Sequence, residues 1–249
     1  MTHTHLLPGP ERGHAVGIVA PFDLELDREL WRWTPADVDI LMTRTPFIND
    51  GVTVEFAKEV SDTGAISRGT RDVTSGRART VAYACTSGSF VSGRLGEQAI
   101  TEAMLASGAE QALTTSGSLA EALQSLGAKQ VVVATPYLAE LSIKLSEFLD
   151  EFGITALDNV SLGLCEEIWS VSYEDTATMI RSADRADADA IVISCTNLPT
   201  YDLIAPLEAE LGKPIVSANQ ATMWALLRRI GKEAVGADQL LIARSRAQD

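Results

Sequence analysis

Histidine is nearly missing: the 249 residues hold three, His3, His5 and His14, all ahead of or at the first strand-like run. Serine and papain-type nucleophiles need a histidine base beside them, and here only His14 is placed to serve. Zinc sites of the Cys/His kind are equally poorly supplied, and no metal is expected. Cysteine is as scarce. Cys85, Cys165 and Cys195 are odd in number and form no CxxC pair, which argues against a disulfide framework or a dithiol redox motif and suits free thiols in a reducing cytoplasm. No apolar run approaches the roughly 18 residues of a membrane helix, and no basic-then-apolar leader is present, so neither a span nor a signal peptide is expected. Positive charge is short too. Lys and Arg number 20 against 34 Asp and Glu, a net charge of −14, which speaks against nucleic acid or an anionic membrane as partner. The glycines Gly108, Gly117 and Gly127 are too scattered for a phosphate-binding loop.

What is present alternates strand with helix. Ala15–Ala20, Val38–Thr43, Thr80–Ala84, Gln130–Thr135, Ile154–Leu157, Ile191–Ile193 and Pro214–Ala218 read as short apolar strands. Between them lie amphipathic stretches such as Gly96–Ser107, Leu138–Phe152 and Tyr173–Arg185, the Leu138 stretch closing at Gly153. Such alternation requires parallel sheets with crossover connections, an α/β fold. Residues 1–13, polar with Pro8 and Pro10, read as a flexible tail.

Two of the strands end alike. Thr80–Ala84 runs into Cys85, Thr86 and Ser87, and Ile191–Ile193 runs through Ser194 into Cys195, Thr196 and Asn197, with the two cysteines 110 residues apart. Open α/β sheets place their chemistry at the carboxyl ends of strands. A lone cysteine there is most simply a small buried hydrophobe; two in equivalent contexts suggest two thiols facing one another. Backbone N–H groups after each would favour thiolate and hold a carboxylate. Facing thiols could move a proton from one side of a small acid to the other, or one could add to a double bond and allow rotation. Neither step needs a cofactor, and none is expected. Cys165, beside Glu166 and Glu167, lies off the pattern and reads as structural.

The segments AYACTSGS (Ala82–Ser89), VVVATPYLAEL (Val131–Leu141) and IVISCTNLPTYDLI (Ile191–Ile204) resemble the aspartate/glutamate racemase superfamily. Within it they are most similar to the group of maleate cis-trans isomerases, arylmalonate decarboxylases and ectoine-utilisation protein A. That resemblance implies two pseudo-symmetric, flavodoxin-like lobes with parallel sheets and the active site in the cleft between them. Residues 14–107 plus 202–249 would form lobe one with Cys85, and residues 108–201 lobe two with Cys195. It implies a cofactor-independent isomerase or racemase of a small carboxylic acid, with Cys85 as nucleophile or first base and Cys195 as its acid/base partner. Thr86, Ser87, Tyr137, Thr196 and Asn197 match positions that hold a substrate carboxylate. Decarboxylases of the group keep only the second cysteine, whereas this chain has both. A malonate-type decarboxylase and a non-catalytic ligand binder are the alternatives. Asp23, and Glu166 or Glu167, stand where maleate isomerases carry asparagine, which would favour an amino-acid-like substrate over a plain diacid. A soluble cytoplasmic protein is expected, with homo-oligomerisation left open.

Overall fold

The computed structural model describes residues 13–236 and 238–246. The expected tail, with His3 and His5, lies outside the described residues except for Gly13. In chain order the elements are β1 (His14–Ala20), α1 (Asp27–Trp33), β2 (Val38–Arg44), α2 (Val54–Val60), α3 (Thr63–Thr74), β3 (Thr80–Tyr83), α4 (Thr86–Phe90), α5 (Gly93–Ala106), β4 (Gln111–Thr114) and α6 (Thr115–Ser125). There follow β5 (Gln130–Thr135), α7 (Ala139–Asp150), β6 (Thr155–Ser161), α8 (Tyr173–Ser182), β7 (Ala190–Ile193), α9 (Tyr201–Leu211), β8 (Ile215–Ser217), α10 (Ala218–Arg228) and α11 (Leu240–Arg246).

The strands form two four-stranded parallel sheets, ordered β2-β1-β3-β4 and β6-β5-β7-β8. Each order is the same when counted within its own half, so β3 and β7 occupy equivalent inner positions. Inner strands covered on both faces read as unbroken apolar runs: Val131–Ala134 and Ala190–Val192 are wholly buried. The sheet edge β6 is instead largely exposed. Helix starts follow the sequence closely. Thr53, Asp62, Thr114, Ser172 and Ser217 each accept a backbone N–H from the first turn of the helix they open, satisfying donors a helix end would leave bare.

Three expectations need correction. β4 was not anticipated, because its four residues open on Gln111 and offer too short an apolar run; its pairing with β3 creates it. β6 does not stop at Leu157 but runs to Ser161, since an edge strand tolerates Asp158 and Asn159 facing water. The sheets also divide the chain differently from the lobe boundaries expected near Gly108 and Tyr201. β4, beyond Gly108, belongs to the first sheet, and β8, beyond Tyr201, belongs to the second. The chain does return toward the first half at α10, which packs on α6 and α1, and Thr222 Oγ1 there donates to Thr115 Oγ1 at 2.9 Å.

Candidate active site

Parallel strands aim their carboxyl ends at one side of the sheet, and both cysteine turns emerge there, two residues after Tyr83 and Ile193 end their strands. They meet at a narrow pocket of about 20 Å³. Cys85, Thr86 and Ser87 line it from the first half, Tyr137, Cys195, Thr196 and Asn197 from the second, and Asp23 from the loop after β1. Pro21, Val52, Phe56 and Ile168 complete the wall. Eight of the nine expected site residues therefore converge. Glu167 does not reach the thiols. It lines a wider cavity of about 500 Å³ with Glu166, Glu25, Asp50 and Cys165, which shares Asp23, Val52, Ile168 and Asn197 with the inner pocket. Glu166 and Glu167 are exposed.

Cys85 caps α4. Gly88 permits this: a Cβ there would sit 2.6 Å from Tyr83 Oη and 3.3 Å from Cys85 Sγ, and Tyr83 Oη is held by a 2.6 Å bond to Val60 O. Behind the thiol lies a buried hydroxyl layer. Ser89 Oγ lies 2.7 Å from both Cys85 O and Ser116 Oγ and shares its one proton between them, while Ser116 Oγ donates to Thr86 O at 2.9 Å. Thr86 Oγ1 is buried and has no hydrogen-bond partner, so one donor at the pocket wall is uncommitted.

The Cys195 turn differs. No helix follows at once, since α9 begins only at Tyr201, and Asn197 N–H donates to Cys195 Sγ at 3.3 Å. Asn197 was expected to hold a carboxylate, but its side chain is engaged. Its Nδ2 donates to Asp23 O at 2.7 Å and its Oδ1 accepts Glu25 N–H at 2.8 Å, tying the Asp23 loop to the second half. Tyr137 Oη accepts from Ser194 Oγ at 3.3 Å.

Burial governs the electrostatics. It pushes the Cys85 thiol up to about 11 and the Cys195 thiol to about 12, against hydrogen bonds from Gly88 and Asn197 N–H, with Asp23 adding to the rise. The expected thiolate-favouring N–H groups are present, but desolvation outweighs them, and at neutral pH both groups are thiols. Burial raises Asp23 as well, against its own backbone N–H and Arg44. Among the described residues no three His, Cys, Asp or Glu side chains gather as a metal site would need.

Sequence reasoning missed the supporting residues. Ser116 lies in the polar run Thr114–Ser118, which is buried except for Gly117 and could have been noticed as hydroxyls in an apolar setting; Phe56 and Ile168 carried no signal.

Known proteins share this architecture. Residues 34–241 match the family model described as arylmalonate decarboxylase. A maleate isomerase from Nocardia farcinica is 34% identical over 159 residues, a match spanning 60% of this chain and 63% of that relative, less than two thirds of its length. Among solved structures, a glycine-to-cysteine, cysteine-to-serine double mutant of arylmalonate decarboxylase in its liganded form gives a TM-score of 0.84 at 26% identity, covering 92% of this chain and 98% of that one. A cysteine-to-serine mutant of the Nocardia farcinica maleate cis-trans isomerase, with a covalently bound succinylcysteine intermediate, gives 0.80 at 25% identity, covering 92% and 98%.

Proposed function

The chain belongs to the arylmalonate decarboxylase family, and from that premise we propose that it is a cofactor-independent isomerase or racemase of a small carboxylic acid, using Cys85 and Cys195. The observation that carries this is the convergence of both thiols on one pocket whose other walls are hydroxyls, an amide, apolar groups and the single carboxylate of Asp23. Thr86 Oγ1, without a partner, and the Ser87 and Thr196 hydroxyls are the donors for a substrate carboxylate. In a racemase, one cysteine removes the α-proton from one face and the other returns a proton to the opposite face. In a cis-trans isomerase, Cys85 loses its S–H proton as its sulfur adds to one alkene carbon, and Cys195 gives a proton to the other. The resulting single bond rotates, and the reverse transfers expel the sulfur and restore the alkene and both thiols. The succinylcysteine seen in the relative supports the second route.

Charge narrows the substrate. Asp23 pushes both thiols up, and a second substrate carboxylate would push them further. An ammonium or amidine group near Asp23, with Glu167 at the wider mouth, would relieve the repulsion and help form thiolate. An amino-acid-like acid therefore suits the site better than a plain diacid.

The test is a panel of small acids incubated with the protein in deuterated water. Deuterium at the α-carbon, or interconversion of cis and trans isomers, is the expected result. Carbon dioxide release from an arylmalonate would instead make the chain a decarboxylase. Tight binding with neither exchange nor turnover across the panel would make it a ligand binder.

A further inference from the structure

Cys195 occupies backbone that few side chains adopt: its φ is 91°, in the left-handed region. Its counterpart Cys85 is ordinary extended chain, with φ −135°. Strain of this kind persists where the surroundings over-determine it, and here the surroundings are buried and polar. Asn219 Nδ2 donates to Thr196 O at 2.9 Å and to Glu29 Oε2 at 3.2 Å. Glu29 Oε1 in turn accepts the N–H groups of Thr200 at 2.8 Å and Tyr201 at 3.0 Å. Glu29 is 7% exposed, Asn219 and Thr200 each 1%. One residue from α1 and one from α10 thus grip both ends of the segment between Cys195 and α9.

The grip acts on a particular peptide. Thr196 C=O and Asn197 N–H belong to one planar trans unit, so they point in opposite directions. Holding the oxygen on one side aims the N–H at the sulfur on the other, where Asn197 N lies 3.3 Å from Cys195 Sγ. A carbonyl oxygen can only accept, which fixes the Asn219 amide with its nitrogen toward Thr196. That orientation leaves Asn219 Oδ1 buried without a partner.

We propose that Glu29 and Asn219 are positioning residues that hold the Thr196–Asn197 peptide with its N–H on the Cys195 sulfur, favouring the thiolate at that position. The proposal rests on Cys195 being a reacting thiol, as above. Neither residue lines the pocket; both act through the peptide. A hydrogen bond to the charged form works against the burial that disfavours it.

The experiment is alkylation by iodoacetamide at mildly alkaline pH, with Cys195 and Cys85 followed separately by peptide mass spectrometry. In Asn219→Ala the Cys195 rate is expected to fall by roughly fivefold or more, with Cys85 within about twofold of wild type. Glu29→Gln should act the same way, because its amide nitrogen would oppose the Asn219 nitrogen while its oxygen still takes Thr200 and Tyr201. Being nearly isosteric, it carries the test alone if Asn219→Ala does not fold. Gln220→Ala is the control: Gln220 is buried on the same helix and bonds Gln239, away from the peptide. Mere loosening would open access and speed Cys195. A faster or unchanged Cys195, a slowing shared by Cys85, or an equal slowing in Gln220→Ala overturns the proposal. Alkylation needs no substrate, so this outcome is read separately from whether the chain isomerises anything.

Discussion

A buried thiol with a high pKa is a weak nucleophile until something lowers it, and both pocket cysteines are in that position. With Cys85 near 11 and Cys195 near 12, thiolate is scarce at neutral pH. Alkylation of each is expected to keep rising with pH and to show no plateau below about pH 9; a plateau near neutrality would mean that the N–H contacts outweigh burial after all. Under turnover, Cys85→Ser and Cys195→Ser should each lose about 10²–10⁴-fold in rate, the span of a general acid–base group. Cys165→Ser should remain near wild type, because that residue lines only the outer cavity. Near-full activity in Cys85→Ser alone would point to a single-thiol decarboxylase. At this scale the chain was legible where the chemistry is contiguous in sequence: Cys-Thr at two strand ends marked both halves of the pocket. Asn219 and Glu29 were not legible. They lie far from Cys195 along the chain and act on a carbonyl that any residue at position 196 would supply.

Elements were legible where they are buried and long, and illegible where pairing makes them. β5 and β7 declare themselves by β-branched runs, whereas β4 exists because β3 offers it an open edge. β8, legible as the apolar run Pro214–Ala218, has only three paired residues and depends on a side chain for its anchorage. Glu208 of α9 accepts Ile215 N–H at 2.9 Å and Leu240 N–H at 2.8 Å, joining β8 and α11. It is 4% exposed, and burial lifts it from 4.5 to about 7. A raised carboxyl favours the folded state while protonated, so its contribution is complete below its unfolded value and is lost as pH rises through about 7. The loss amounts to about 3 kcal/mol at most, from the size of the shift. Melting temperature should therefore fall between about pH 5 and pH 8, and Glu208→Gln should flatten that slope while lowering stability at acid pH through the altered pair of bonds. An unchanged slope in the variant would assign the pH dependence to other groups, such as Asp23 or Glu97, which burial also raises.

The whole molecule carries a net charge of −14, and part of that excess faces the outer cavity beside the thiol pocket. Asp23, Glu25, Asp50, Glu166 and Glu167 line the outer cavity, with no Lys or Arg among its lining residues. Dianions approaching it are opposed, and zwitterions can turn their cationic end outward and their carboxylate toward Thr86 and Ser87. Asp23 matters most, because it alone of these acids borders the thiol pocket and is half-buried, so water screens it least. Two like charges about 4–6 Å apart at an effective dielectric of about 20 cost a few kcal/mol. Asp23→Asn is thus expected to tighten binding of a plain diacid such as maleate by about tenfold or more and to weaken an amino-acid-like ligand. Glu167→Asn should do the same more weakly, being exposed, and asparagine is suited to the left-handed backbone there, where φ is 49°. Salt provides an independent check by calorimetry. In the native protein, added salt should strengthen diacid binding and weaken binding of the amino-acid-like ligand, and both trends should shrink in the double variant. If the native protein binds maleate tightly, with no salt dependence and no response to either substitution, the acids serve only the solvated surface and do not select the substrate.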